Sequence, residues 1–263
     1  MNYNSIVFEK TDSTGRIKFN RPTVLNSFNR EMGAELKSAL DNCRQDPSIR
    51  AILLTGEGRA FCAGQDLSEA VSPTGEKLSE LGDIIDTVYN PIVKLIREIE
   101  KPVVCRVNGV AAGAGANIAL ACDFVIAAEE SVFIQSFSKI GLVPDSGGSY
   151  FIPRLVGIAT ATQLMMLGDK LHAAEASEMG LIYRAVSIEL LDETVEILLQ
   201  KLVKMPTKAL GLIKKMINQS FENTFEQQLD LEKECQEIAG KTDDYIEGVK
   251  SFLEKRKPVF KGE

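Results

Sequence analysis

Tryptophan is absent from the 263 residues, His172 is the one histidine, and the five cysteines are widely spread with no Cys-x-x-Cys pair. A single histidine excludes histidine-centred catalytic triads and histidine-rich metal sites. Cysteines in this pattern indicate neither a disulfide framework nor a zinc site. We therefore expect a protein of the reducing cytoplasm that holds no metal.

Long apolar runs and an excess of positive charge are also lacking. No uninterrupted apolar run approaches a membrane span, and the N-terminal residues lack the basic-then-apolar pattern of a signal peptide. The formal net charge of −7 argues against a basic face for nucleic acid. We expect neither nucleic acid nor membrane as a partner, whereas a phosphorylated small molecule held by a few cationic side chains remains compatible.

The chain does contain 44% hydrophobic residues, enough for a sizeable core. In its first half, apolar strand-like runs alternate with segments of helical periodicity, which predicts an α/β fold with crossover connections. We predict a main domain over residues 1–200 and a C-terminal helical region over residues 201–263. The predicted strands cover residues 5–9, 16–20, 51–55, 103–107, 124–127 and 132–134; the predicted helices include 29–42, 78–99, 188–204, 207–220, 224–239 and 243–255.

The segment from Val107 to Asp123 is rich in glycine and alanine and follows an apolar strand. It continues into a helix whose side chains are too small and too apolar for an exposed position. Glycine lets the backbone approach a partner closely, and the first turn of a helix has N–H groups that the helix leaves unbonded. The segment therefore predicts a buried helix start that faces an anion or a polarised carbonyl.

A second loop of small residues, from Arg59 to Leu67, also follows a buried strand. In a parallel sheet both loops lie at the carboxyl ends of strands, the edge where open α/β sheets bind ligands. We expect one N–H from each loop, those of Gln65 and Ala114, to converge on a single oxygen. The alternative is two tight turns without a ligand, but the presence of both loops favours the site.

Asp145 is a lone carboxylate between apolar residues and the pair Gly147 and Gly148. In one interpretation it caps a helix by accepting from the N–H of one of these glycines. In the other, the apolar neighbours solvate its charge poorly, which raises its pKa towards values that suit proton transfer. The two interpretations predict different partners for the carboxylate.

Four motifs together resemble the crotonase family, the enoyl-CoA hydratases and isomerases, over essentially the whole chain. They are Asn20-Arg21-Pro22 with Leu25-Asn26, the run Phe61 to Asp66, the segment Asn108 to Asp123, and Gly141 to Gly148. The resemblance implies a spiral core of β-β-α units, a C-terminal helical region that forms homotrimers, often paired into homohexamers, and an acyl-CoA thioester substrate. It also implies that the amides of Gln65 and Ala114 form the oxyanion hole.

The same resemblance assigns residues to the bound thioester. Ala63, Asp66 and Leu67 are implied to lie along the CoA, and Lys257 and Phe260 to approach its nucleotide end. CoA is part of the substrate, so no separate cofactor is expected. The full set assigned to CoA or the acyl group is Leu25, Ala63, Asp66, Leu67, Asn117, Phe137, Lys257 and Phe260.

Two departures from the family pattern bear on the reaction. Hydratases of the family have glutamates where this chain has Asn117 and Phe137. Phenylalanine can neither position nor deprotonate water, and asparagine cannot exchange a proton at useful pH. Asp145 remains, at a position where several isomerases keep their carboxylate. One base that moves a proton between two carbons suits isomerisation and is insufficient for hydration.

Within the family the motifs are most similar to isomerases that convert 1,2-epoxyphenylacetyl-CoA to oxepin-CoA in phenylacetate degradation. Movement of the double bond of a 3-enoyl-CoA uses the same parts. Hydration requires a further carboxylate, which the segment of residues 68–83 would have to supply. A non-enzymatic alternative is a CoA-ester-binding subunit that has lost the hydratase residues; such a protein would not need Asp145.

Overall fold

The computed structural model describes residues 3–69 and 80–263, and these contain two β-sheets surrounded by helices. The strands are β1 (Ile6–Thr11), β2 (Thr14–Phe19), β3 (Ala51–Gly56), β4 (Ala60–Cys62), β5 (Val103–Val107), β6 (Val110–Ala112), β7 (Phe124–Ala128), β8 (Val132–Ile134), β9 (Lys170–His172) and β10 (Arg184–Val186). The larger sheet has the order β1-β2-β3-β5-β7-β10 and is parallel except for the β1–β2 hairpin. The smaller sheet has the order β4-β6-β8-β9, with β9 antiparallel.

The chain passes repeatedly from a strand of the larger sheet to a strand of the smaller sheet and then to a helix. The helices are α1 (Arg30–Gln45), α2 (Leu81–Ile84), α3 (Asn90–Glu98), α4 (Ala114–Leu120), α5 (Gly148–Leu167), α6 (Ala173–Glu178), α7 (Ile188–Leu202), α8 (Thr207–Gln219), α9 (Phe225–Ala239) and α10 (Asp243–Leu253). Adjacent units touch closely, since a Cβ on Gly109 would lie 2.1 Å from the carbonyl oxygen of Arg59. The predicted spiral of β-β-α units is confirmed.

The core covers both faces of the larger sheet. On one face, Met32, Leu36 and Leu40 of α1 are fully buried, and each buried leucine contributes about 2 kcal/mol. On the other face, α7 buries its apolar stripe against β3, β5 and β7. Residue 200, the predicted end of the main domain, falls in the last turn of this sheet-packed helix.

The helix predicted over residues 78–99 is divided in the structure. Its first two residues lie outside the described ranges, α2 ends at Ile84, a π-helical turn covers Ile85–Tyr89, and α3 begins at Asn90. Pro91 has no N–H to donate, and the N–H of Asn90 reaches back five residues to the carbonyl of Ile85. The interruption therefore lies next to Pro91.

Four strands of three residues each, β4, β6, β9 and β10, were not predicted. A three-residue strand is too short to show a period, so its neighbours in the sheet define it rather than its own sequence. This matters for the site, because β4 and β6 lead directly into the two glycine-containing loops.

By length and composition, α5 is the one helix in the described part of the chain that is apolar enough to cross a membrane, with 20 residues and a mean hydropathy of 1.2. The expectation concerned uninterrupted apolar runs and is not contradicted, because polar residues such as Arg154 and Gln163 interrupt the sequence of α5. In addition, the backbone leaves helical geometry at Gly157 (φ 77°, ψ 165°), and Pro153 lies within the first half. Each half is shorter than the roughly 20 residues that the hydrocarbon core requires.

Helices α8, α9 and α10 form the predicted C-terminal helical region. The region is fixed to the main domain by Lys214, whose ammonium group donates to the carbonyl of Ile96 (2.6 Å) and to the carboxylate of Asp123 (2.8 Å). The tail after α10 returns to the start of β3, where Arg50 donates to the carbonyl of Phe260 at 2.8 Å.

Candidate active site

The loop after β4 is held by main-chain pairing with the segment around Phe28. The N–H of Phe28 donates to the carbonyl of Gly64 (2.7 Å), and the N–H of Asp66 donates to the carbonyl of Phe28 (2.8 Å). The N–H of Ala63 donates to the carbonyl of Leu25 at 3.0 Å. In a parallel bridge of this kind, the N–H of the residue between the two bonds points to the opposite side. The amide of Gln65 therefore faces away from Phe28.

The start of α4 lies against this loop. A Cβ on Gly64 would be 3.8 Å from the nitrogen of Ala114, and a Cβ on Gly115 would be 2.6 Å from the carbonyl oxygen of Cys62. Because Ala114 is the first residue of α4, its N–H has no partner within the helix. The structure thus brings the two predicted loops together, at the ends of β4 and β6 rather than of β3 and β5.

Asp145 lies in the loop before α5, and its main chain and side chain are bonded separately. Its carbonyl accepts from the N–H of Gly148 (2.9 Å), and its carboxylate accepts from the hydroxyl of Ser146 (2.8 Å). The residue that caps α5 is Gly147, with φ 78°. The interpretation of Asp145 as a side-chain helix cap was therefore wrong.

The carboxylate of Asp145 lies in the environment that proton transfer requires. Burial raises the pKa of Asp145, although the hydrogen bond from Ser146 opposes the shift. A carboxylate with a raised pKa binds a proton more readily at neutral pH than an exposed one. This residue can accept and return a proton.

Asn117 occupies a different place from the one predicted, because its side chain is fully buried. The side-chain nitrogen donates to the carbonyl of Asp145 (2.9 Å), and the side-chain oxygen accepts from Gln135 (2.8 Å). A Cβ on Gly148 would lie 2.3 Å from the Asn117 nitrogen, so the fit is tight. Asn117 holds the Asp145 loop and does not line the open site; its assignment to the substrate is corrected accordingly.

Phe137 forms an apolar wall beside the start of α4. It is 6% exposed, and its ring lies 3.7 Å from the position that a Cβ on Gly113 would take. The side chain offers no proton and no acceptor.

Asp66 and Leu67 continue the loop after β4. Asp66 accepts from Arg21 (2.9 Å) and from the hydroxyl of Ser68 (2.6 Å). Burial acts to raise the pKa of Asp66, but the bonds from Ser68 and Arg21 outweigh it and the pKa is lowered, so the group stays ionised. Leu67 is 54% exposed and Leu25 is partly buried.

Lys257 and Phe260 are not brought to this site within one chain. Lys257 is exposed after α10, and Phe260 lies over Gly248 with its carbonyl bonded to Arg50. Arg50 precedes β3, whereas the site lies beyond the opposite, carboxyl-terminal ends of the parallel strands. The implied contact with the nucleotide end of CoA is not made in the chain's own site.

Three residues at the site were missed or left undecided by sequence reasoning. Ser146 and Gln135 gave no signal, since their partners are known only from the fold. Tyr89, which fitted a pocket wall and a core position equally well, is 2% exposed and donates its hydroxyl hydrogen to the side-chain oxygen of Gln65.

Among the described residues of this site there is neither a reactive thiol nor a metal-binding cluster. Cys62 is fully buried, and burial raises its pKa to about 12, so it remains a protonated, apolar-packing group. No group of three or more histidine, cysteine, aspartate or glutamate side chains suited to a metal occurs among residues 3–69 and 80–263.

Comparison with known proteins agrees with this architecture. The 1,2-epoxyphenylacetyl-CoA isomerase of Escherichia coli K12 is 49% identical over 247 residues, covering 94% of each chain. A protein of Rhodobacter capsulatus named "Probable enoyl-CoA hydratase" is 41% identical over the full length of both. The crystal structure of an enoyl-CoA hydratase from Bacillus anthracis superimposes with a TM-score of 0.92 at 31% identity, covering 99% of this chain and 100% of that one. A family model described as "Enoyl-CoA hydratase/isomerase" matches residues 9–263, and the chain belongs to this family, the crotonases.

Proposed function

We propose that this protein is an isomerase of acyl-CoA thioesters and that Asp145 is its proton carrier. One observation carries the proposal: Asp145 is a half-buried carboxylate of raised pKa, held by Asn117 of the same short helix that begins with Ala114. The arrangement ties the loop that contains the proposed base to the helix that begins with a proposed main-chain donor.

In the proposed mechanism the thioester oxygen accepts hydrogen bonds from the N–H groups of Gln65 and Ala114. These bonds lower the cost of forming an enolate at the carbon next to the carbonyl, and losing one such donor costs about 3 kcal/mol of transition-state stabilisation. Asp145 removes the acidified proton and returns it to another carbon after rearrangement. Substrate and product therefore contain the same atoms.

Two other carboxylates, those of Asp66 and Glu69 in and after the loop that follows β4, are bonded. Asp66 is ion-paired with Arg21, and the carboxylate of Glu69 accepts from the N–H of Arg30 at 2.9 Å. Together with Asn117 and Phe137 at the two glutamate positions of the hydratases, this bonding favours chemistry with one proton carrier. Residues 70–79, where the sequence left room for a further carboxylate, lie outside the described ranges.

For the substrate we propose 1,2-epoxyphenylacetyl-CoA, which would be converted to oxepin-CoA. The likeness to the Escherichia coli isomerase of that thioester supports this choice. The purified protein should consume the epoxide thioester faster than aliphatic 3-enoyl-CoA esters, as measured by chromatography of the CoA products. Faster turnover of a 3-enoyl-CoA would instead assign the protein to double-bond isomerisation.

Hydration is the second candidate, because the relative from Rhodobacter capsulatus carries a hydratase name. The two reactions differ in the origin of the product's oxygen. In water enriched in oxygen-18, an isomerase gives an unlabelled product, whereas hydration of a 2-enoyl-CoA gives a labelled 3-hydroxyacyl-CoA. Mass spectrometry of the CoA product distinguishes isomerisation from hydration. If the protein binds CoA esters but converts none of them, it is a binding subunit.

We further propose that Ala63, Asp66 and Leu67 lie along the CoA, that Leu25 contacts the CoA or the acyl group, and that the protein forms homotrimers or homohexamers. Exposed apolar side chains on α5, α8 and α10 support assembly, and light scattering measures the mass directly. In such an assembly, Lys257 and Phe260 would contact the nucleotide end of CoA only if the segment after α10 of one subunit reaches the site of another subunit. The large exposed apolar side chains of these helices are Leu155, Ile158, Met166, Leu167, Ile213, Ile217, Tyr245, Ile246, Val249, Phe252 and Leu253.

A further inference from the structure

Tyr89 contacts the oxyanion loop by its hydroxyl and by its ring. The hydroxyl donates to the side-chain oxygen of Gln65, whose own N–H is the proposed oxyanion donor. The ring packs against that of Phe28 with centroids 5.7 Å apart, and Phe28 is the residue whose main chain pairs with Gly64 and Asp66. One side chain therefore holds both the loop and the segment that supports it.

The π-helical turn accounts for the position of Tyr89. The turn ends at Tyr89 and is pressed against α1, because a Cβ on Gly33 would lie 2.3 Å from Val88. Single π-helical turns are uncommon and occur frequently at functional sites, where they shift a side chain out of its α-helical register. Here the shifted residue reaches Gln65, 24 positions earlier in the chain.

The hydroxyl of Tyr89 is suited to donating a hydrogen bond and not to carrying a proton. Burial raises the pKa of Tyr89 well above its ordinary value, and the nearby Cys62 and Asp145 add to the shift. The phenol therefore stays protonated throughout the physiological pH range.

We propose that Tyr89 is a positioning residue for the oxyanion hole, which orients the Gln65 amide towards the thioester oxygen by holding the Gln65 side chain. The inference rests on the proposed function of the site, since it assigns a thioester carbonyl as the group that Gln65 polarises. Tyr89 acts through Gln65 and makes no contact with the reacting carbons in this account.

The test compares Tyr89→Phe with a matched control, Tyr183→Phe, whose ring is 51% exposed. Removing the hydroxyl leaves the volume of the ring unchanged, so we expect kcat to fall on the order of tenfold while KM for the CoA ester stays the same. Tyr183→Phe should match the wild type. Equal kcat values for Tyr89→Phe and the wild type would overturn the proposal.

A double-mutant cycle tests whether Tyr89 acts through Gln65. Gln65→Ala keeps the main-chain N–H but removes the acceptor of the tyrosine hydroxyl, so Tyr89→Phe should cost nothing further in that background. Losses that multiply in the double variant would show that Tyr89 acts independently of Gln65, which contradicts the proposal. Because Gln65 is only partly buried, this variant also gives an answer if Tyr89→Phe folds poorly.

Carbonyl spectroscopy separates this inference from the proposed reaction. The infrared band of a CoA ester labelled with carbon-13 at the thioester carbonyl should move to lower frequency on binding the wild type, and less on binding Tyr89→Phe. If the wild type polarises the carbonyl but turns over no ester, the proposed isomerase function is refuted and the role of Tyr89 stands. If the wild type is an active isomerase but the band is the same in both proteins, the function stands and the role of Tyr89 is refuted.

Discussion

The side-chain nitrogen of Asn117 donates a 2.9 Å hydrogen bond to the main-chain oxygen of Asp145. Asn117 lies one turn along α4 from Ala114, whose N–H is a proposed oxyanion donor. The helix therefore fixes the Asp145 loop relative to this proposed donor. Geometry of this kind, held to within a fraction of an ångström, is what a proton transfer between two carbons requires.

Replacing Asn117 by alanine should weaken both the fold and the reaction. The side-chain nitrogen of Gln135 would lose its buried acceptor, which costs about 1–3 kcal/mol of stability, whereas the carbonyl of Asp145 would keep its bond from the N–H of Gly148. We expect kcat to fall and the dissociation constant of the CoA ester to stay unchanged, because the Asn117 side chain has no exposed surface. Urea unfolding and steady-state kinetics measure the two effects.

Gln200→Ala is a suitable control for that variant. Gln200 is a half-buried amide on α7 that bonds to Glu196 of its own helix, far from the site in the sequence and in the fold. Its replacement should leave kcat unchanged. If Asn117→Ala weakened CoA-ester binding and left kcat intact, Asn117 would be a substrate contact, as the sequence first indicated.

The rate should depend on pH through the raised pKa of Asp145. The base must be ionised to accept a proton, so kcat/KM should fall as the pH drops through that pKa. The acid limb is expected above the ordinary aspartate value of about 3.9, because burial disfavours the charged form. A pH–rate profile that stays flat down to the ordinary value would contradict the assignment of Asp145 as the base.

The same burial makes Asp145 a cost to stability. A carboxylate whose pKa is raised on folding binds more protons in the native state, so stability is lost as the pH rises from the unfolded pKa to the folded one. Asp145→Asn should therefore be more stable than the wild type at pH 7. Below the unfolded pKa the carboxyl of Asp145 is protonated in both the folded and the unfolded state, so the two proteins should have the same free energy of unfolding. Denaturation at pH 7 and at a pH below the unfolded pKa measures the difference between them.

Gly64 permits the close contact between the loop after β4 and the start of α4. Its φ of 95° is a left-handed value that side chains rarely adopt, and a Cβ would lie 3.0 Å from the carbonyl oxygen of Ala112. In Gly64→Ala the Gln65 amide should be displaced, with a loss of about 100-fold in kcat. Gly82→Ala is the control, since a Cβ on Gly82 would meet no atom of the described residues within 4 Å. Equal losses in both variants would remove the special role of Gly64.

Local signals in the sequence sufficed to predict that the two glycine-containing loops come together and to propose Asp145 as the base. Gly64, Gly113 and Asp145 stand in short motifs whose chemistry follows from neighbouring residues, so their roles could be expected before the fold was known. The long strands were also predictable, because strands such as β3 and β5, buried on both faces, appear as continuous apolar runs.

Contacts between distant segments could not be predicted in this way. Asn117 meets Asp145 across 28 positions and Gln135 across 18, and no period or motif encodes either pair. Likewise Tyr89 was equally compatible with core and pocket until the π-helical turn gave its direction. The three-residue strands β4 and β6 are defined only by their pairing with neighbouring strands. The sequence therefore predicted the two loops at the ends of β3 and β5, whereas they follow β4 and β6.

The most direct test of the account is turnover by Asp145→Asn, with the binding of a CoA ester measured on the same preparation. The amide keeps the size of the side chain and can still accept from Ser146, but it cannot take up the substrate's proton. A general base contributes about 10²–10⁴-fold to the rate, so we expect a loss of that order with unchanged affinity for the CoA ester. Wild-type turnover by Asp145→Asn would contradict the central claim.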